Sequence, residues 1–184
     1  MRHKPIHRLP FLLFCFLFTF VSSPSLATDR PEFETPHFKL RLAPRTPNQI
    51  AAFYEGRGFP DTAIRLLQDY CFITVSLRNK GTEILWFDLD NWQFQANGKT
   101  LPRIKRSHWQ TIWQEIALKK RFQATFRWTL MPEKLDFRAY ETEAGNIILP
   151  YSPHPIRLTA QIKLGSQQTP TSIQLNSIRC SKDP

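Results

Sequence analysis

No apolar run in this chain approaches the roughly 18 to 20 residues that a membrane-crossing helix requires, and the one conspicuous apolar stretch, Phe11 to Val21, is 11 residues long. The motifs of common hydrolases are missing as well. There is no HExxH, no GxSxG, no SxxK with its partner motifs and no Cys-His arrangement, which excludes the local signatures of zinc peptidases, α/β hydrolases and penicillin-binding enzymes. No CxxC pair occurs, so the three cysteines supply neither a dithiol redox motif nor half of a zinc site. Internal repeats and low-complexity tracts are absent too.

What is present begins with an export signal. Arg2, Lys4 and Arg8 precede the apolar stretch, and Ser25-Leu26-Ala27 follows it with the small residues that a signal peptidase needs. Residues 1–27 are therefore expected to be removed, leaving a periplasmic or secreted chain without a transmembrane span. Phe14 stands where lipidating enzymes want a small residue, which argues against Cys15 as a lipid anchor. Cleavage leaves Cys71 and Cys180, an even pair in an oxidising compartment. They read most simply as one disulfide closing a loop of about a hundred residues, on the order of 4 kcal/mol in the chain-entropy model; two buried thiols are the alternative.

Without Arg2, Lys4 and Arg8 the chain has 22 Lys and Arg against 15 Asp and Glu, a net charge of +7. Between Lys99 and Trp128 lie Lys99, Arg103, Lys105, Arg106, Lys119, Lys120, Arg121 and Arg127, opposed only by Glu115, so this window alone carries +7. Long-range attraction to an anion is thereby focused on one region.

Residues 28–69 read as an extended arm with one edge strand, "FKLRL", followed by a helical pair. Thr46 stands in a capping position before Pro47, the first helix ends near Gly56, and Asp61 is expected to cap the second, through about Gln68. From residue 70 to 184 the pattern is that of an antiparallel sandwich. In "YCFITVSLRN", Cys71, Ile73, Val75 and Leu77 share one face, Asn97-Gly98 is a hairpin signal, and "IRLTAQIKL" alternates cleanly. "SHWQTIWQEIALKK" is different: Trp109, Ile112, Trp113, Ile116 and Ala117 recur at helical spacing, with Ser107 and Gln110 as a capping box, and predict a helix of about 10 residues inserted between strands. "RFQATFRWTL" is assigned by strand parity to a central strand, with Phe122, Ala124, Phe126, Trp128 and Leu130 on its core face and Arg121 and Arg127 on the other.

The stretch from Cys71 to Thr100 resembles the opening of the immunoglobulin-like domains of bacterial extracytoplasmic proteins, in which an apolar-alternating strand ends in Asn, a short turn follows, and a Phe-bearing strand leads to a Gly turn. The matching positions are Asn79, Gly81, Phe94 and Gly98. The resemblance implies a mainly β, immunoglobulin-like sandwich, here with an N-terminal helical segment and one inserted helix. It implies no activity, because many unrelated functions use that architecture.

Few residues suggest chemistry. His37, His108 and His154 lie in unrelated contexts with no ligand partner at metal spacing. Asp88 and Asp90 are two apart but fail the calcium-loop pattern, and a turn with local hydrogen bonds explains them better. "EGRGF" follows a helix rather than a strand, so it lacks the setting of a phosphate-binding loop. The sequence therefore points to a non-enzymatic binding or assembly module without cofactor or metal. Its expected surface is Arg103, Lys105, Arg106, Lys119, Lys120, Arg121 and Arg127, and its expected partner an envelope protein, an anionic polymer or lipopolysaccharide rather than nucleic acid. An envelope hydrolase or metal-dependent enzyme assembled from His108, Glu115, Asp88 and Asp90 is the alternative. The surface arginines and lysines also have a plain structural reading, since Lys119, Lys120 and Arg121 would offset the dipole at the end of the preceding helix.

Overall fold

A computed structural model describes residues 31–183; the export signal expected over residues 1–27 lies outside them. The fold is mainly β, with antiparallel sheets. Strands β1 (Glu32–Glu34), β2 (Phe38–Pro44), β3 (Tyr70–Asn79) and β8 (Thr142–Pro150) form one sheet in the order β1-β2-β3-β8. The second runs β6 (Lys99–Leu101), β5 (Gln93–Ala96), β9 (Ile156–Leu164), β4 (Leu85–Asp88), β7 (Lys134–Phe137), and β10 (Thr169–Ile178) pairs with the other edge of β9. Helices α1 (Pro47–Glu55), α2 (Asp61–Gln68), α3 (Arg106–Glu115) and α4 (Lys120–Thr129) pack on the outer face of the four-stranded sheet.

The alternation of β3 explains these layers. Cys71, Ile73, Val75 and Leu77 enter the core between the sheets together with Leu40, Leu158 and Ile162, while Phe72 faces the helices. Its cross-strand partner Ile148 does the same. Further along the same outer face come Thr74, Ser76 and Arg78, which are not buried, so the helices cover only the Phe72–Ile148 end of the sheet. Residues 32–44, expected as an arm with one edge strand, supply two strands, and β2 is internal to the sheet.

Local signals hold in several places. Thr46 and Gln49 form a reciprocal capping box at the start of α1. Asn97 and Gly98 take φ of 48° and 71°, as a two-residue hairpin between β5 and β6 requires. Cys71 and Cys180 form a disulfide with Cα atoms 5.3 Å apart, stapling β3 of one sheet to the segment that leaves β10 of the other. A bulge at Ser177 (φ 64°) lets both Leu175 and Ile178 be buried three residues apart. Asn79 is fully buried; its amide donates to the carbonyls of Glu83 (2.7 Å) and Arg138 (2.9 Å), and its Oδ1 accepts from Gly81 N–H (3.0 Å).

Two caps and one element differ from expectation. Pro60, not Asp61, is the N-cap of α2, and Lys105, not Ser107, that of α3, with no capping side chain at either. The segment expected to be a central strand is helix α4. Phe122, Phe126 and Leu130 are spaced at four residues as well as at even parity, so both patterns fit these three. Helical geometry then exposes Ala124 and leaves Trp128 83% exposed, residues that strand parity had placed in the core. The molecule thus has four α-helices among the described residues, one more than the helical pair and single insertion expected.

Candidate functional site

The helix α3 ends in a left-handed turn that reverses the chain into α4. Ala117 takes φ 50°, its N–H donates to Gln114 O (3.1 Å), and Leu118 N–H donates to Trp113 O (2.9 Å), the pairing that closes a helix C-terminus. The far end of α4 is held by β8. Met131 N–H donates to Asn146 O (3.0 Å) beside Gly145, where a Cβ would come within 2.6 Å of the Met131 Cα. Only glycine admits that approach. The Arg106 guanidinium then ties the start of α3 to the end of α4 through Leu130 O (2.9 Å) and Met131 O (3.3 Å).

Of the seven cations singled out in the sequence, three hold polar partners within the structure and a fourth, Arg121, lies over the Phe122 ring at 4.5 Å. Arg103, whose side chain is 9% exposed, makes a bidentate pair with Glu133 and a longer contact of 3.5 Å with Asp90. Lys105 pairs with Asp90 at 2.9 Å, and its hydrogen bond holds that carboxyl below its ordinary range. Arg106 is the tie just described. Lys119, Lys120, Arg121 and Arg127 are exposed, and none takes part in an ion pair among the described residues.

Lys119, Lys120 and Arg121 follow the C-cap of α3, Ile116, as expected from the sequence, but they also open a second helix that was not expected. Lys119 is the N-cap of α4, and Lys120 and Arg121 fill its first turn, with no acidic residue there and no capping side chain. Cations at a helix N-terminus oppose the dipole instead of offsetting it, by a few tenths to about 1 kcal/mol each. At the α4 end this clustering is unfavourable to the helix and favourable to an anion.

A cleft of about 250 Å³ opens between α3 and α4, lined by Arg106, Trp109, Gln110, Trp113, Lys120, Gln123, Ala124, Phe126, Arg127 and Leu130. Three of these are cationic and none is acidic. Trp109 and Trp113, 1% and 2% exposed, stack at 5.0 Å, and Phe126 packs against both at 4.8 and 4.9 Å. Neither indole Nε1–H finds an acceptor among the described residues, and nor does Arg106 Nε. A buried donor left unpaired costs about 1–3 kcal/mol, so three in one cleft are a notable concentration. By contrast, Trp86 Nε1–H donates to Gly165 O at 2.9 Å, and the remaining unpaired indole, Trp92, lies in the core between the sheets. Arg106 and Arg127 also border a second cavity of about 390 Å³ that reaches Trp128 and Glu143.

The other candidate residues are not gathered. Asp88 accepts from Asp90 N–H (3.0 Å) in a local turn and pairs with Lys134 at 2.9 Å, while Asp90 is taken by Lys105. His108 and Glu115 are exposed on α3, and His37 and His154 are exposed in loops or turns. No group of three or more His, Cys, Asp or Glu among the described residues could hold a metal ion. Of the aromatic residues in the basic window, Trp109, Trp113, Phe122 and Phe126 are buried and Trp128 is exposed. Sequence reasoning missed the cleft because the i, i+4 pair of Trp109 and Trp113 reads as core, and no sequence pattern reveals that an indole lacks an acceptor.

No protein-family model matches the chain, and no curated protein is similar to it. Among solved structures, YcdA of Bacillus subtilis, assigned as a lipoprotein, matches at 9% identity with a TM-score of 0.39, covering 79% of this chain. The chain spans 38% of that protein, and a likeness at this level supports no inference about fold or function.

Proposed function

We propose that this is an exported envelope protein acting as a non-enzymatic binding module, whose ligand is an anionic envelope component met at the α3–α4 end of the helical layer. The observation that carries this reading is the run Lys119, Lys120 and Arg121, without an ion-pair partner among the described residues, at the N-terminus of α4, where it opposes the helix dipole. Breaches of local physical rules without a structural gain concentrate at functional sites. Export is supported by the leader-like start of the sequence and by the Cys71–Cys180 disulfide, a feature of oxidising compartments. The described residues include no helix long and apolar enough to cross a membrane.

The test compares two charge-matched variants. One carries Lys119→Glu, Lys120→Glu and Arg121→Glu; the other reverses Arg65, Arg157 and Arg179, which are exposed and lie outside the basic window. Each cation near an anionic surface contributes about 1 kcal/mol, so the first variant should lose well over tenfold in partitioning onto phosphatidylglycerol-containing vesicles. The second should lose far less. Equal losses would remove the localised surface and leave only net charge.

A further inference from the structure

We infer that the α3–α4 cleft is a phosphoryl site that takes a phosphomonoester headgroup, with the indole N–H groups of Trp109 and Trp113 and the Nε–H of Arg106 as its hydrogen-bond donors. The inference rests on the anionic-ligand reading above and supplies its chemistry. Three cations, Arg106, Lys120 and Arg127, line the cleft and no carboxylate does, so a group with more than one negative charge is balanced there. A phosphomonoester carries about −1.5 to −2 charges at neutral pH and presents three strong acceptor oxygens. Three donors on residues that line the cleft are covered and have no acceptor among the described residues, so a ligand reaches them as the α3–α4 seam opens. A carboxylate has one charge, and would leave two of the three cations unanswered.

Size and walls agree with this class. At about 250 Å³ the cleft falls just below the roughly 300 Å³ at which drug-sized pockets begin, suiting a headgroup better than a length of polymer. The stacked indoles and Phe126 give the carbon skeleton of that headgroup an apolar wall. Lys120 belongs both to the cleft and to the first turn of α4, where the helix dipole favours an anion. A phosphorylated sugar and phosphatidic acid share this chemistry.

Calorimetric titration of the exported chain tests the assignment, with inorganic phosphate, glucose 1-phosphate, short-chain phosphatidic acid and acetate as probes. Saturable binding of the phosphate probes is expected, with acetate at least about tenfold weaker. Trp109→Phe and Trp113→Phe keep an aromatic ring and remove one donor each, so each should weaken phosphate binding by about tenfold, in line with a hydrogen bond to a charged group. Lys120→Gln and Arg127→Gln should weaken it as well. Trp92→Phe, which removes an unpaired indole N–H outside the cleft, should not. Thermal denaturation of every variant separates loss of the site from loss of the fold. Tighter binding of glucose 1-phosphate than of phosphatidic acid assigns the site to glycans and the reverse order to lipid headgroups; both support a phosphoryl site. Absence of saturable binding, acetate equal to phosphate, or folded Trp109→Phe and Trp113→Phe variants that bind like the parent overturns it. If those results come with vesicle binding still sensitive to reversal of Lys119, Lys120 and Arg121, the cleft assignment falls and the surface reading stands. If vesicle binding is insensitive while phosphate still binds in the cleft, the surface reading falls instead.

Discussion

Replacing Asn79 with alanine removes a side chain that closes two turns at once. Its amide holds the carbonyls of Glu83 and Arg138 at 2.7 and 2.9 Å, with a longer contact of 3.3 Å to Phe137 O, and its Oδ1 receives Gly81 N–H at 3.0 Å. The residue is fully buried, so water does not replace these partners without a rearrangement of the turn. Three good hydrogen bonds at about 1 kcal/mol each give a loss of about 3 kcal/mol. Urea denaturation monitored by far-UV circular dichroism, with the disulfide intact, measures it. Asn79→Asp adds a test of sign. It points a carboxylate at three carbonyl oxygens in a buried site, which raises the folded-state pKa of that carboxyl above its unfolded value, so the variant should gain stability as pH falls from 7 towards 4. A loss below about 1 kcal/mol for Asn79→Ala, or an Asn79→Asp variant that weakens on acidification relative to the parent, would refute this account of the turn.

Other consequences are open to measurement. Neither Cys71 nor Cys180 should react with thiol reagents before reduction, and reduction should cost about 4.8 kcal/mol from the 109-residue separation, read as a shift in denaturation midpoint. Phe126→Ala, in the packed face of α4, should cost about 3–5 kcal/mol, whereas Trp128→Ala, at 83% exposure, should stay within about 0.5 kcal/mol. The reverse order would mean that the segment is a strand after all. Glu34, hydrogen-bonded to Lys39 and Lys80, has its pKa lowered from 4.5 to about 2. A lowered folded-state pKa contributes stability that is present above the unfolded value and lost as pH falls from about 4.5 to about 2; Glu34→Gln should flatten that acid limb slightly, and added salt should shrink the difference because the pair is exposed.

The parts of the fold legible in the sequence are those fixed by short-range chemistry. Alternation in β3 and β9, the Asn97-Gly98 hairpin, the Thr46 cap and the two remaining cysteines each specify their own geometry. Helix α4 was not legible because Phe122, Phe126 and Leu130 satisfy periods of two and of nearly four together. What decides between them is Trp109 and Trp113 on α3, which present an aromatic face that α4 covers with Phe126. The basic window was visible as composition, but not the division within it. Arg103 and Lys105 find acids on β7-flanking and β4-flanking turns, Glu133 and Asp90, which the chain brings near only when folded. Lys119, Lys120 and Arg121 find none among the described residues.

The central claim is that a phosphate group reaches the indole donors of the α3–α4 cleft. The five tryptophans, Trp86, Trp92, Trp109, Trp113 and Trp128, give five indole N–H resonances in a ¹H–¹⁵N spectrum, assignable by single Trp→Phe variants. Titration with glucose 1-phosphate should move the resonances of Trp109 and Trp113 along one saturable curve and leave those of Trp86 and Trp92 in place. Unmoved Trp109 and Trp113 signals at phosphate concentrations that bind the protein, or movement confined to the exposed Trp128, would contradict the account.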